Sequence, residues 1–246
     1  TGVKHLSHMS SSAVFGSISE SDCPITDKTP AIPIEIYGRS KLAGEKIIQK
    51  EMENPSGMSC SIIRPRTIIG TQRLGIFQIL FEWISEGRNI YIIGNGDNRF
   101  QFAHVEDLVE VSIASAVQQK TGYFNVGTDR YRTLREDLEE LCRIANTNSK
   151  VIGLPVSLAT SSLWILDKLK LSPLAPWHYL TYHKPFYFDI SKPMTELGWK
   201  PMYSNIEMLE SSYNWYFDNK DKMSMSSSTH RSPVKQGAIA FLKKLS

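Results

Sequence analysis

Residues 36–64, with the sequence IYGRSKLAGEKIIQKEMENPSGMSCSIIR, decide the fold class because a helical pattern is followed at once by a buried-strand pattern. Apolar residues recur at helical spacing from Ile36 to about Glu53, and Asn54-Pro55-Ser56-Gly57 ends that helix. Met58 to Arg64 then has the nearly continuous apolar character of a strand that is covered on both faces. A helix leading into such a strand predicts an α/β fold with a mostly parallel sheet.

The same alternation continues on both sides of this stretch. Strands are predicted at His5–Met9, Ile90–Ile93, Gln101–Val105 and Tyr123–Val126, and helices at Leu74–Gly87, at Asp107–Gln119 (with Asp107 as the N-cap) and from Thr133. The last third is mixed, with helices predicted at Val156–Lys170 and Ser204–Phe217 and a short strand at Phe186–Asp189.

Composition excludes several classes of protein. The 246 residues carry a net charge of only +3 and no basic run, so no nucleic-acid partner is expected. Three widely spaced cysteines argue against a disulfide framework and for a reducing setting. The sequence contains neither an apolar run of membrane-spanning length nor a signal-peptide pattern near residue 1. We therefore expect a cytoplasmic protein without a membrane span.

The sharpest chemical signal is the pair Tyr37 and Lys41 at the start of the first helix. Residues four apart lie on one helical face, so the phenol and the ammonium can meet over a common ligand. A nearby cation favours the phenolate and lowers the tyrosine pKa toward the range of a general acid or base. Tyr216 and Lys220 have the same spacing, but no run of hydroxyl residues precedes them, and they are interpreted as a surface pattern.

Other motifs give Tyr37 and Lys41 a context. In chain order they are Ser10-Ser11-Ser12-Ala13-Val14-Phe15-Gly16, Ile63-Arg64-Pro65-Arg66-Thr67-Ile68-Ile69-Gly70, Gly94-Asn95-Gly96-Asp97-Asn98-Arg99, Phe102-Ala103-His104-Val105-Glu106-Asp107 and Tyr123-Phe124-Asn125-Val126-Gly127. From about Val3 to Phe217 this order resembles the extended short-chain dehydrogenase/reductase superfamily, in particular the NAD-dependent epimerase/dehydratase family. The resemblance implies a partial Rossmann-like, doubly wound parallel sheet with a smaller mixed α/β substrate-binding portion.

The resemblance also implies roles for individual residues. Ser11 falls on the catalytic Ser/Thr, Tyr37 on the catalytic tyrosine, and Lys41 on the lysine that lowers the tyrosine pKa and holds the nicotinamide ribose. Pro65 falls on the segment that passes close to the nicotinamide, so Tyr37, Lys41 and Pro65 are expected to bind the cofactor. The cofactor is NAD or NADP, and no metal is expected; His5 and His8 lie on opposite faces of their strand.

A nucleoside-diphosphate sugar is the first substrate that the resemblance suggests. Ser11, Ser12, Thr67 and Arg99 are the expected substrate contacts, with Arg99 placed for a diphosphate. The Gly94-x-Gly96-x-Asn98 loop is equally similar to dihydroflavonol-reductase-like and hydroxysteroid-dehydrogenase-like members. The alternatives are therefore a reductase or dehydrogenase of a non-sugar alcohol or ketone, or a non-catalytic binding module of the same fold.

One element of the family pattern is absent from the sequence. No Gly-rich phosphate loop precedes Ser10, so the dinucleotide-binding half is expected to be missing, and residues 1–246 are expected to be inactive alone and to bind NAD(H) or NADP(H) very weakly. An incomplete gene product or a fragment without independent function is a further alternative. The resemblance also suggests a homodimer formed through the helix that begins at Ile36.

Five consecutive segments are predicted along the chain. Residues 1–70 are the C-terminal part of a Rossmann-like domain with the catalytic residues, and residues 71–149 alternate between the substrate region and the sheet. Residues 150–218 form a substrate-binding portion, and residues 219–232, rich in Ser, Lys and Met, form a flexible linker. Residues 233–246 form an amphipathic helix whose apolar stripe must dock on something.

Overall fold

Strands and helices alternate through most of the chain in the computed structural model, which describes residues 2–54, 57–172, 174, 176–223 and 243. The strands are β1 (His5–Met9), β2 (Ser59–Pro65), β3 (Thr67–Ile69), β4 (Ile90–Ile93), β5 (Phe102–His104), β6 (Gly122–Val126) and β7 (Val151–Leu154). The α-helices are α1 (Ile36–Met52), α2 (Phe77–Ser85), α3 (Val105–Val117), α4 (Leu134–Ile144), α5 (Val156–Lys168), α6 (Pro176–Thr181), α7 (Ser191–Leu197) and α8 (Asn205–Met223).

These elements divide into two compact units, each assembled from three separate stretches of chain. The first unit comprises Thr1–Ile68, Gln101–Arg130 and Pro185–Ser204. The second comprises Ile69–Phe100, Tyr131–Lys184 and Asn205–Ser246. The middle of the chain therefore contributes to both units.

A three-stranded parallel sheet with the order β1-β2-β6 forms the centre of the first unit. The register aligns Met9 with Ile63 and Pro65 with Val126, so all three strands end at the same edge. Ile62, Ile63 and the other apolar residues in the middle of β2 are fully buried, as expected for a strand between two neighbours. The structure thus confirms the α/β class with parallel strand pairing.

The second unit contains a two-stranded parallel sheet, in which β4 pairs with β7, together with helices α2, α4, α5, α6 and α8. Helix α4 begins with the capping box that the sequence predicts, because Thr133 and Glu136 each bond the other's backbone amide. On α2, the ring of Phe81 packs edge-on against Tyr213 of α8 at a centroid distance of 6.0 Å. Aromatic packing therefore joins α2 to α8.

Three local predictions need correction. Phe186–Asp189 does not form a strand: it makes isolated bridges at Phe186 and at Phe188, the latter with Ile25, and its backbone mostly bonds irregular segments. The N-cap of α3 is His104, whose Nδ1 accepts the amide of Glu106 at 3.3 Å, and Asp107 lies inside the helix. Helix α8 continues to Met223, so the linker predicted from residue 219 does not begin there.

The remaining predicted segments of the C-terminal region lie mostly outside the described residues. Residues 224–232 of the linker are among those not described, and of the amphipathic helix at residues 233–246 only Lys243 is described, in a helical conformation. Among the helices that the structure describes, none is both long enough and apolar enough to cross a membrane.

Candidate active site

The serine run Ser10–Ser12 lies at the carboxyl end of β1, where ligands bind in open parallel sheets. The amide of Ser10 donates to the carbonyl of Ile63 at 2.8 Å and so prolongs the pairing of β1 with β2. Ser11 then takes an extended conformation and caps a short 3₁₀ helix, Ser12–Phe15, by accepting the amide of Ala13 at 3.2 Å. The local turn chemistry fixes the position of the Ser11 hydroxyl at the edge of the sheet.

The first turn of α1 packs directly against this 3₁₀ helix. A Cβ atom on Gly38 would lie 2.4 Å from the carbonyl oxygen of Ala13, a distance that only a glycine permits. The neighbouring side chain of Tyr37 is 55% exposed. The close backbone approach therefore brings Tyr37 beside the Ser10–Ser12 loop while leaving its ring accessible to solvent.

Lys41 connects α1 to the same sheet edge. Its Nζ donates to the carbonyl oxygen of Met9 at 3.0 Å and lies 5.8 Å from the centre of the Tyr37 ring. One N–H group of the ammonium thus donates the hydrogen bond that holds α1 against the end of β1. The other two N–H groups can donate to a ligand. The phenol and ammonium of the sequence motif lie on one face, as their spacing predicts.

A buried ionic cluster lies beneath these residues and was not predicted from the sequence. Glu45, only 1% exposed, accepts two hydrogen bonds from Arg64, from Nε at 2.9 Å and from Nη2 at 2.6 Å. It also accepts the hydroxyl of Ser10 at 2.5 Å. Since Ser10 precedes Ser11 and Arg64 precedes Pro65, the Glu45 carboxylate ties together the three segments that carry the predicted catalytic and cofactor residues.

A second buried arginine, directly after β2, approaches the serine run. Arg66 is 2% exposed, and its Nη1 donates to the Ser12 hydroxyl at 3.3 Å. Its guanidinium stacks 4.1 Å from the ring centre of Phe186. The run of apolar residues in β2 could have indicated Arg64, because a charged side chain in a buried strand requires a partner.

The predicted substrate contacts are divided between the units. Ser11, Ser12 and Thr67 belong to the first unit, where Thr67 opens β3 and is partly exposed. Arg99 belongs to the second unit, where its guanidinium lies 4.8 Å from the ring centre of Tyr131. The structure therefore brings five of the predicted site residues to one sheet edge of the first unit: Ser11, Ser12, Tyr37, Lys41 and Pro65. Arg99 lies in the second unit.

His8 and Asp107 are titratable groups of the first unit whose pKa values are shifted by burial. Burial, with a smaller contribution from Lys41, lowers the pKa of His8, which lies on β1 against Gly44 of α1. Burial raises the pKa of Asp107 to about 6, against the opposing effect of the backbone amide of Met202, which donates to it at 2.9 Å.

No group of three or more potential metal ligands occurs in the part of the chain that the structure describes.

Comparison with known proteins adds to this geometry. A family model described as the NAD dependent epimerase/dehydratase family matches residues 1–127, more than half of the chain. This chain belongs to that family. As a family member it has the expected α/β fold with a Rossmann-like parallel sheet, and the matched region includes Ser11, Tyr37, Lys41 and Pro65.

Three similar proteins illustrate the family. The protein y4nG of Sinorhizobium fredii is 40% identical over 243 residues, which are 98% of this chain and 61% of y4nG. UDP-arabinose 4-epimerase 1 of Arabidopsis thaliana is 28% identical over 241 residues, 87% of this chain and 51% of that enzyme. The structure of UDP-glucuronic acid 4-epimerase from Bacillus cereus with NAD has a TM-score of 0.65 at 22% identity, covering 87% of this chain and 61% of that one.

This chain covers only part of the length of these relatives. It spans about half to three fifths of the length of the curated proteins to which it is compared. The similarity to solved structures is below 25% identity and establishes the fold. The family to which the chain belongs is described as NAD-dependent epimerases and dehydratases.

Proposed function

We propose that this chain carries the catalytic and substrate-binding residues of an NAD(P)-dependent enzyme that acts on a nucleoside-diphosphate sugar by hydride transfer, with Tyr37 as general acid/base. The observation that carries the proposal is the packing of Gly38 on Ala13, which sets the exposed Tyr37 beside the serine run. The sugar-nucleotide class is supported by the relatives, which include UDP-arabinose 4-epimerase 1.

The surroundings of the phenol fit this role. Nζ of Lys41 lies 5.8 Å from the ring centre of Tyr37 and donates to the carbonyl oxygen of Met9, so the ammonium and the phenol can contact the same ligand. As the general base, Tyr37 accepts the proton of a substrate hydroxyl when the adjacent C–H bond gives up its hydride, so that a ketone forms. The Ser11 hydroxyl donates a hydrogen bond to the developing carbonyl oxygen. Returning the proton from Tyr37 completes the reverse step.

The residues at the sheet edge also fit a dinucleotide. Lys41 retains donor hydrogens for a ribose hydroxyl, and Pro65 ends β2 beside Val126, leaving the carboxyl ends of the strands for a flat ring. A bound nicotinamide would accept the substrate hydride and give it back, which is chemistry that no side chain can supply. Tyr37, Lys41 and Pro65 would hold its nicotinamide-ribose end.

The rest of the proposal concerns what residues 1–246 do alone. Because the chain spans 61% of y4nG, we infer that the Gly-rich loop for the pyrophosphate comes from residues outside this sequence and that residues 1–246 bind the dinucleotide weakly. Ser12, Thr67 and Arg99 are proposed as substrate contacts. A cytoplasmic homodimer that pairs through α1 is also proposed, since Ile36 and Ile47 of α1 are 85% and 70% exposed.

The test is turnover by the longest protein that contains these residues, supplied with NAD or NADP and a panel of UDP- and dTDP-sugars, with products separated by chromatography. Tyr37→Phe removes the proton acceptor and is expected to lower kcat by roughly 10²–10⁴-fold. Tyr216→Phe is the matched control, because Tyr216 and Lys220 have the same spacing but lie on α8 in the second unit, where Tyr216 is buried and not at the surface as its sequence suggested. Its kcat should stay within a few-fold of the unaltered enzyme.

Two results would contradict the proposal. Turnover by Tyr37→Phe equal to that of the unaltered protein would remove the phenol from the mechanism. Activity with non-sugar ketones and none with nucleotide sugars would assign the protein to the reductases of the same family. A circular dichroism spectrum for each variant shows whether a loss of activity comes from the missing hydroxyl or from unfolding.

A further inference from the structure

The loop at residues 16–35 of the first unit joins the serine run to the helix that carries Tyr37. Apart from a short 3₁₀ helix at Glu20–Asp22 and a bridge at Ile25, the described residues of this loop belong to no helix or strand. Its course is therefore set by its contacts with the rest of the unit, and those contacts bear on where the two predicted catalytic groups meet.

The middle of the loop is held by the irregular segment at residues 185–190, which also belongs to the first unit. Ile25 is fully buried, donates its amide to the carbonyl of Tyr187 at 2.9 Å and accepts the amide of Asp189 at 2.9 Å. Nδ2 of Asn125 on β6 donates to the same Ile25 carbonyl at 3.3 Å. Hydrogen bonds from two directions thus fix the backbone of the loop at this residue.

An ion pair adds a side-chain anchor two residues further along the loop. Nζ of Lys192, in the first turn of α7, donates to Oδ2 of Asp27 at 2.8 Å. This hydrogen bond is the main cause that lowers the pKa of Asp27, so the carboxylate is charged at neutral pH. The two side chains are 33% and 31% exposed, and a pair this accessible to water contributes little to the stability of the whole unit. Its effect is therefore expected on the local position of the loop.

The chain that follows the ion pair leads to the first turn of α1 with little freedom. Pro30 and Pro33 restrict its backbone. A Cβ atom on Gly38 would lie 2.9 Å from the Cβ atom of Pro33, so the incoming chain packs directly on this turn. The N-cap residue Glu35 makes no side-chain cap hydrogen bond, which leaves the orientation of the turn to the chain that enters it. A shift of the loop is thus passed on to Tyr37.

We propose that Lys192 is a positioning residue of the active site, which pairs with Asp27 and so holds the loop that sets Tyr37 beside the serine run. The inference rests on the proposed function, in which Tyr37 is the general acid/base. Proton transfer requires the phenol within hydrogen-bond distance of the substrate hydroxyl, and a misplacement of about 1 Å can cost about 10²-fold in rate. Loss of the pair therefore lowers kcat, whereas KM, which depends on substrate contacts made elsewhere, changes little.

Steady-state kinetics of the longest protein that contains these residues, with the panel of UDP- and dTDP-sugars, tests the proposal. Asp27→Asn and Lys192→Met each remove the ion pair and should lower kcat by roughly 10–10²-fold, with KM within about twofold. Lys192→Arg keeps the charge, and Asp27→Lys combined with Lys192→Asp exchanges the two charges, so both proteins should recover most of kcat. Lys28→Met is the matched control, because it makes the same chemical change at an exposed side chain next to Asp27.

Hydrogen exchange followed by mass spectrometry is the second measurement, and it does not depend on turnover. In Asp27→Asn and Lys192→Met, the amides of residues 26–38 should exchange at least about threefold faster than in the unaltered protein. Peptides from β2, whose centre is fully buried, should be unchanged, which shows that the unit remains folded. The charge exchange and Lys192→Arg should restore slow exchange at residues 26–38.

Three results would overturn the proposal. If Tyr37→Phe is impaired while Asp27→Asn and Lys192→Met keep full kcat, the phenol acts without this anchor. A loss of kcat that neither Lys192→Arg nor the charge exchange recovers would give Lys192 a different role. Unchanged exchange at residues 26–38 would show that the pair does not hold the loop. The proposed function fails separately, when Tyr37→Phe retains full turnover, and hydrogen exchange then still decides whether the pair anchors the loop.

Discussion

Replacing Glu45 by leucine removes the acceptor for Arg64 and Ser10 and leaves a guanidinium buried without a counter-charge. Arg64 is 4% exposed, so water cannot take the place of the lost carboxylate. Breaking a buried ion pair by removing one partner costs about 3–5 kcal/mol of unfolding free energy. Arg64→Met leaves the carboxylate alone and should cost a similar amount, although methionine keeps some contact with the Tyr123 ring, which lies 4.3 Å from the guanidinium carbon.

The double variant Glu45→Leu, Arg64→Met separates charge pairing from packing. Replacing both members of a buried pair by apolar residues is close to neutral, and the Ser10 hydroxyl loses only one acceptor, so the total cost should be at most about 2 kcal/mol. With at least about 3 kcal/mol for each single variant, the cycle gives a coupling free energy of at least about 4 kcal/mol.

Urea unfolding followed by circular dichroism measures all four free energies of unfolding. A control cycle on Arg143 and Glu140, an exposed pair on α4, should show far weaker coupling. Additive single-variant costs at Glu45 and Arg64 would refute the reasoning, because they would show that the two charges do not depend on each other. A coupling as small as that of the surface pair would have the same meaning.

Two further predictions concern the first unit. Gly38→Ala should lower the free energy of unfolding in urea by about 1–2 kcal/mol despite the better helix propensity of alanine, because the added methyl group meets the Ala13 carbonyl. In the control Gly44→Ala the methyl group meets only the His8 ring, so its effect should be close to zero. Equal effects of the two substitutions would contradict the role of Gly38 in this packing. Burial raises the pKa of Asp107 to about 6 in the folded protein, above its unfolded value, so its contribution to stability is present below about pH 4 and lost as the pH rises through about 6. The free energy of unfolding, measured relative to Asp107→Asn, should therefore fall by roughly 1–2 kcal/mol across that window, and a rise would show the opposite shift.

Elements with regular apolar periodicity could be predicted from the sequence. His5–Met9 and Ile90–Ile93 have the predicted bounds, and the capping box at Thr133 occurs as expected. In each case the residues of the segment and its immediate neighbours are sufficient to predict its conformation. The predicted strand at Phe186–Asp189 is absent because its apolar residues fill the core from an irregular backbone, and hydrophobicity alone does not distinguish the two arrangements.

The site could be predicted only in part. Tyr37 and Lys41 were identified from helical spacing, which is a local property. Glu45 and Arg66 were missed because their partners are 19 and 54 residues away in the chain, and a single sequence contains no measure of that proximity. Glu45 also lies on a helix with many charged residues, where a carboxylate is typical of a solvated face. The serine run, the tyrosine and the lysine suggested the site, whereas the buried charges that hold it together required the structure.

The division of each unit into three stretches has a consequence for biosynthesis. Residues emerging from the ribosome through position 68 contain β1, α1 and β2, yet their sheet gains its third strand only once residue 126 has been made. Until then the apolar edge of β2 is open to other chains or to a chaperone. No protease cut at a single point can separate one unit from the other, and a gene divided near its midpoint would have to be expressed as both halves for either unit to be complete.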